Sequence, residues 1–270
     1  MNYQPSLPEY NDNVSHQQPL REFFVLMAGV VVFVLIGYWA LGLVVDVAVD
    51  DLSPEQEAKL FPTLGIDWDV GEESMPQEQA KLQHLVEALN PCLSLPYPIT
   101  VSLVKSDAVN AMALPGGKMV VFSGLLDAVS STNGLMFVLA HELGHFKNRD
   151  HLRLMGRGLV LSILAMLAFG GDSGISDILA STINLRTAKY SQTRESQADH
   201  TALQALQCQF GHVGGATELF ESLQSQETGH EFGFSHYFAS HPELQQRIDD
   251  LHKFAQELGY AEKDPQKLIR

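Results

Sequence analysis

Cysteine is scarce in this chain: Cys92 and Cys208 are the only two among 270 residues. Two thiols cannot build a disulfide framework or a four-thiolate zinc site, and sequence alone leaves open whether they pair. Basic side chains are also few. Lys and Arg number 17 against 32 Asp and Glu, a net charge of −15, so the basic footprint that nucleic-acid phosphates require is missing. Charged residues reach only 18% against 45% hydrophobic, which excludes a chain disordered throughout. No internal repeat is present. Histidine runs the other way. There are 11, and three of them crowd into the stretch from His141 to His151.

One stretch lacks charge altogether. Phe23 to Val45 is apolar or uncharged throughout, and as a helix it covers roughly 34 Å, enough for a hydrocarbon core of about 30 Å. Tyr38 and Trp39 stand where interfacial aromatics anchor a span. The run exceeds the apolar region of a signal peptide, about 7–15 residues, and no small-x-small cleavage pattern follows Val45. A single-pass anchor contacting lipid through residues 23–45 is therefore expected. Arg21 and the amino terminus precede it, whereas Asp46, Asp50, Asp51, Glu55 and Glu57 follow before Lys59. Counted by basic residues, this leans toward placing the rest of the chain on the non-cytoplasmic, periplasm-like side.

The remaining pattern predicts an α+β domain, mostly α. Residues 1–22, rich in Pro, Asn and Gln, read as a disordered tail. Residues 46–75 read as an acidic juxtamembrane linker with a short helix near Ser53–Leu60, and 76–262 as the globular domain, with 263–270 a C-terminal tail. Helical spacing covers Gln77–Leu89 and ends at Asn90-Pro91. Ile99–Val104 alternates as a strand, Ala108–Leu114 is extended, and Pro115-Gly116-Gly117 turns into a further strand, Lys118–Phe122. A helix is predicted from Asn133 to about Leu154. Leu159–Phe169 is an apolar run too short to span a bilayer, broken at Gly170–Gly174. Further helices are predicted over Ser191–Gln209 and from Pro242 to about Leu258.

The chemistry concentrates in His141-Glu142-Leu143-Gly144-His145. Two histidines one helical turn apart share a face and can reach one Zn²⁺. Glu142, beside the metal rather than on it, can take a proton from water and deliver it to a leaving group. A catalytic zinc needs a third protein ligand, and two candidates compete. His151 gives the spacing H-E-x-x-H-x-x-x-x-x-H, but Asn148 stands where a glycine turn is usual and no Met-turn follows. Glu195, in Arg194-Glu195-Ser196-Gln197-Ala198-Asp199, shares a helix face with Asp199. There Glu195 can ligate while Asp199 accepts from the other nitrogen of a ligand histidine. Paired with the upstream histidines, Glu195 is the favoured third ligand, and one zinc per chain follows.

Several motifs in order resemble the HtpX, CAAX-prenyl-protease (Ste-type) and mitochondrial Oma-type family of gluzincin metallopeptidases. They are Asn110-Ala111-Met112-Ala113-Leu114-Pro115-Gly116-Gly117, Ser123-Gly124-Leu125-Leu126, the H-E-L-G-H helix, the R-E-x-x-A-D helix, and His241-Pro242 with Arg247. The single anchor is closest to the single-span members. The resemblance implies a zincin-like fold and a zinc-dependent endopeptidase acting on misfolded or envelope proteins. It implies that His241 and Arg247 stabilise the oxyanion or hold the ligand helix. It also implies that Lys118, Met119, Val120, Val121 and Phe122 form an edge strand that binds substrate by strand addition. The alternative is a latent or chaperone-like binding protein using the same groove. An aminopeptidase would need a site for the substrate amine, for which no candidate appears.

Overall fold

The computed structural model describes residues 19–63, 75–95, 97–169, 191–226, 241 and 244–268. Residues 1–18, 64–74, the Gly170–Gly174 break and Pro242 lie outside the described residues. The chain divides into two compact units, Met1–Val44 and Val45–Arg270.

Helix α1 runs over Pro19–Asp51, about 50 Å at 1.5 Å per residue. Phe24, Phe33, Leu35 and Trp39 are exposed along it. Among the described residues it is the helix long and apolar enough to cross a membrane. Its last turn belongs to the second unit, where Val49 is buried with Leu152 and Met155. Helix α2, Pro54–Thr63, follows at once. The stretch 46–75 thus carries the end of one helix and a second helix.

Helix α3 spans Pro76–Leu93 and buries Leu82, Val86, Leu89 and Leu93 at three- and four-residue spacing. It runs past Asn90-Pro91, where the sequence predicts a stop. Pro91 falls in the last turn, and Ser94, left-handed at φ 53, closes the helix by donating its N–H to Asn90 O. Three strands follow: β1 Thr100–Val104, β2 Ala111–Leu114 and β3 Lys118–Phe122. Their order is β1-β3-β2. Thr100 pairs with Lys118 in parallel, and Leu114 pairs with Lys118 antiparallel.

This order overturns one expectation. Lys118, Met119, Val120, Val121 and Phe122 form the central strand, not an edge. Both of their hydrogen-bonding sides are taken, so no peptide can add to them. The sequence pattern shows strand and turn but not which neighbour a strand chooses. Among the described residues, the outer strands are β1 and β2, and on β1 the Val101 and Leu103 N–H groups already donate to Gln83 Oε1 and Gln79 Oε1. β1 packs against α3 and β2 against the long central helix that follows.

After α4, Ser123–Ala128, that central helix is α5, Thr132–Lys147. Helices α6 (Asp150–Phe169), α7 (Gln192–Phe210), α8 (Glu218–Gln226) and α9 (Leu244–Glu257) complete the fold. The single helix predicted to Leu154 is in fact two. Arg149 adopts a left-handed backbone at φ 55 and breaks α5 from α6. That conformation costs a non-glycine residue about 1 kcal/mol. The Arg149 guanidinium offsets it by donating to Val49 O at 2.5 Å and to Leu52 O, carbonyls at the end of α1. The C-terminal residues return to the start of α5: Ser131 bridges Lys267, and Leu268 donates to Ser130 O.

Cys92 at the end of α3 and Cys208 on α7 form a disulfide across 116 residues. Closing so long a loop restricts the unfolded chain strongly. Replacing both cysteines by serine should lower unfolding free energy by about 2–5 kcal/mol. Urea melts of the variant, and of wild type with and without dithiothreitol, measure it. Coincident melts would show that the bridge carries no stability.

Candidate metal centre

Helix α5 is built to be enclosed. Its N-cap, Ser131, accepts the Gly134 N–H at 2.9 Å. From Asn133 to Phe146 every residue is buried, so the helix has no solvent face and its two histidines must be satisfied internally. Helix α7 lies directly against it. A Cβ added to Gly144 would stand 3.1 Å from Ala198 Cα. Two small residues therefore let the backbones approach, and His141 and His145 meet Glu195 and Asp199 across the contact.

The donors converge. One ligand atom from each of His141, His145, Glu195 and His241 lies within 4.8 Å of all the others. His141 Nε2 and His145 Nε2 are 3.2 Å apart. Two imidazole nitrogens on one tetrahedral zinc at about 2.0–2.1 Å would stand roughly 3.3 Å apart. Glu195 reaches both: Oε2 is 3.5 Å from His141 Nε2, and Oε1 is 3.5 Å from His145 Nε2. The outer nitrogens are held as well. His141 Nδ1 lies 2.9 Å from Asp199 Oδ1, and His145 Nδ1 lies 2.9 Å from Asp150 Oδ2. A carboxylate only accepts, so each Nδ1 carries the proton and each Nε2 turns its lone pair inward. Two imidazoles, each neutral when it ligates, and a carboxylate suit a divalent metal of the zinc type.

Burial works against charge on every member, yet opposite charges win on most. For Asp199, burial is outweighed by the Arg247 guanidinium and by the His141 hydrogen bond, which bring its carboxyl down to about 2. Glu195 is held far below the usual carboxylate range despite burial, chiefly by His241 and then by His141 and His145 around it. Burial depresses His145, but Asp150 and Glu195 push it up to about 9. At His241 burial prevails over Glu195 and Glu142, and the imidazole sits below its ordinary value. The carboxylates of the cluster are thus held as anions inside the protein.

The other predicted residues sort by geometry. Glu142 is buried, and its Oε1 has no hydrogen-bond partner among the described residues; His241 Nε2 is 3.5 Å away. His241 Nδ1 lies 2.9 Å from Glu195 Oε2, so this histidine stands within the donor set itself. Arg247 grips carboxylates instead. Its Nε donates to Asp199 Oδ2 at 2.8 Å, its Nη2 to Asp199 Oδ1 at 2.5 Å, and its Nη1 is 3.0 Å from Glu195 Oε2. The rival ligand His151 is not in the cluster. It is buried elsewhere, with Nε2 3.3 Å from Glu57 Oε1. Asp150 escaped the sequence reading because a continuous helix would carry it away from His145. The left-handed Arg149 brings it back, where Arg194 also pairs with it.

Comparison with known proteins agrees with the motifs. The model of peptidase family M48 matches residues 76–255. The chain belongs to that family. The M48 match contains α5 with both histidines and α7 with Glu195, and begins after α1 and α2. Metalloprotease YcaL of Escherichia coli (strain K12) is 31% identical over 163 residues, covering 57% of this chain and 61% of that protein. Mitochondrial metalloendopeptidase OMA1 of Danio rerio is 28% identical over 177 residues, covering 59% of this chain and 36% of that protein. A protease HtpX homologue of Salinibacter ruber is 28% identical over 216 residues, 68% of this chain and 78% of that protein. The match thus spans less than two thirds of YcaL and of OMA1.

Asp150 supplies the sharpest test of this geometry. Asp150→Ala should weaken zinc affinity by about 10- to 100-fold, since it removes the acceptor that orients His145. Competition with a chelator reads the effect. Wild-type affinity in the variant would show that His145 needs no such partner.

Proposed function

We propose that this M48 chain is a membrane-anchored zinc endopeptidase, with one zinc per chain, that cleaves exposed segments of unfolded or membrane-associated proteins. One observation carries the reading: Oε1 of the buried carboxylate Glu142 stands without a hydrogen-bond partner among the described residues, beside the four convergent donors His141, His145, Glu195 and His241. A buried carboxylate oxygen with no donor on it is costly, and a general base placed to take a proton from water accounts for it.

His141, His145 and Glu195 would hold the metal. Zinc in such a site supplies Lewis-acid chemistry, polarising a carbonyl and acidifying water toward pKa about 7. Glu142 accepts the proton of the attacking water and passes it to the departing amine. His241, whose Nε2 faces Glu142 at 3.5 Å, is the side chain placed to donate to the developing oxyanion. Arg247 is committed to Asp199 and Glu195, and serves as a positioning residue that locks α7 against α9. Asp199 and Asp150 fix the two ligand imidazoles.

The open edge of β2, Ala111–Leu114, lies beside α5 and replaces β3 as the strand that receives substrate. Strand addition needs an extended, unpaired backbone, which a folded protein hides. That requirement favours misfolded substrates. Residues 23–45 anchor the protein in lipid. The Cys92–Cys208 bridge supports placing the second unit in an oxidising, non-cytoplasmic compartment.

Detergent-purified wild type and Glu142→Gln should both carry zinc, and only wild type should cleave casein, with at least a 100-fold difference expected. Equal cleavage would remove Glu142 from the mechanism. Zinc in both with no cleavage by wild type would favour the binding-protein alternative. Glu195→Ala should lose zinc and His151→Ala retain it; the reverse would restore His151 as the third ligand.

A further inference from the structure

One buried carboxylate has no part in this chemistry. Glu57, on α2, is 0% exposed, and it precedes the residues that the M48 model matches. Burial raises its pKa, but the hydrogen bond and charge of His151, the Gly116 N–H and Arg149 together bring it below the usual range. It is therefore an anion held inside the protein, a state that persists only with good partners.

Those partners come from three places around the site. Gly116, in the β2–β3 turn, donates its N–H to Glu57 Oε1 at 2.7 Å. His151 Nε2, at the start of α6, lies 3.3 Å from the same oxygen. The Tyr97 hydroxyl, ahead of β1, donates at 3.4 Å. Arg149 Nη2 stands 3.9 Å from Oε2. Packing follows the same path. The Tyr97 ring meets Phe146 edge-on at 6.4 Å, and Phe146 meets His151 at 5.0 Å. Phe146 directly follows His145. Ala58 closes the space over the turn: a Cβ on Gly116 would lie 3.4 Å from Ala58 Cα.

The segment bearing Glu57 is itself fastened. Arg153 pairs with Asp46 at 3.2 Å and with Asp50 at 2.5 Å, and Arg157 pairs with Asp46 at 2.8 Å. Residues 46–58 are thus tied on one side to α6 and on the other to the turn that ends β2.

We propose that Glu57 is a positioning residue that sets the β2 edge over the metal helix for an extended substrate, so that the membrane-proximal segment is a working part of the peptidase site. This rests on the assignment of β2 as the substrate strand. A buried anion that grips the turn through a backbone N–H fixes strand height without touching the substrate or the metal. Its loss should therefore appear in substrate binding rather than in metal retention or the chemical step.

The whole 270-residue chain in detergent tests this. Glu57→Ala should keep wild-type zinc content and kcat within about twofold, while KM for a casein-derived peptide rises about tenfold. Glu57→Gln, which still accepts from Gly116, should recover most of that loss. Tyr97→Phe, which removes one donor and leaves the carboxylate, should raise KM about threefold, so the test does not depend on the alanine variant folding. Binding is read without turnover from the anisotropy of the same fluorescein-labelled peptide on Glu142→Gln chains with and without Glu57→Ala. A wild type that fails to cleave would overturn the peptidase reading and leave this measurement standing. Unchanged KM and affinity in the folded variants, or zinc content and kcat lost along with the rise in KM, would overturn the positioning role.

Discussion

Everything in this centre depends on the contact between two helices at Gly144 and Ala198. Only small residues permit that approach, and only that approach brings imidazoles from α5 within reach of carboxylates from α7. The chemistry then follows from occupancy of the outer nitrogens. Asp199 and Asp150 hold the two Nδ1 atoms, so the Nε2 lone pairs face each other and Glu195. Arg247 neutralises Asp199 and braces Glu195 from α9. A metal site of this kind is a stack of pairings in which each layer orients the one inside it.

Much of this was legible in the sequence because helical periodicity is rigid. Residues four apart share a face whatever surrounds them, so His141 with His145, and Glu195 with Asp199, declared themselves as pairs. The residues ahead of His141, Leu135 to Ala140, are all apolar, and α5 is buried from Asn133 to Phe146. What stayed hidden depended on backbone departures and on partners distant in the chain. Asp150 reaches His145 only because Arg149 takes a conformation that L-residues seldom adopt. Glu57 looked like one more acid in an acidic linker, and nothing local shows that Gly116 and His151 await it.

The sheet shows the same limit in another form. Strand alternation and the Pro-Gly-Gly turn located β2 and β3 correctly, and the hairpin between them forms in the expected place. The register partner on the far side of β3 is β1, which pairs in parallel across an intervening strand. Such a crossover is a choice of topology, set by how α3 and α5 cover the sheet, and no short-range pattern encodes it. Moving the open edge from β3 to β2 keeps the idea of strand addition while placing it beside α5.

The disulfide also divides the site along the chain. Cys92 and Cys208 enclose His141, His145 and Glu195 within one covalent ring, whereas His241 and Arg247 lie beyond it. An oxidised chain that has lost its tertiary structure still keeps the three donors on a closed loop, whose accessible conformations are far fewer than those of an open chain. The donors from α5 and α7 thus share one covalent loop, and the two side chains from outside it are held to them by tertiary contacts alone.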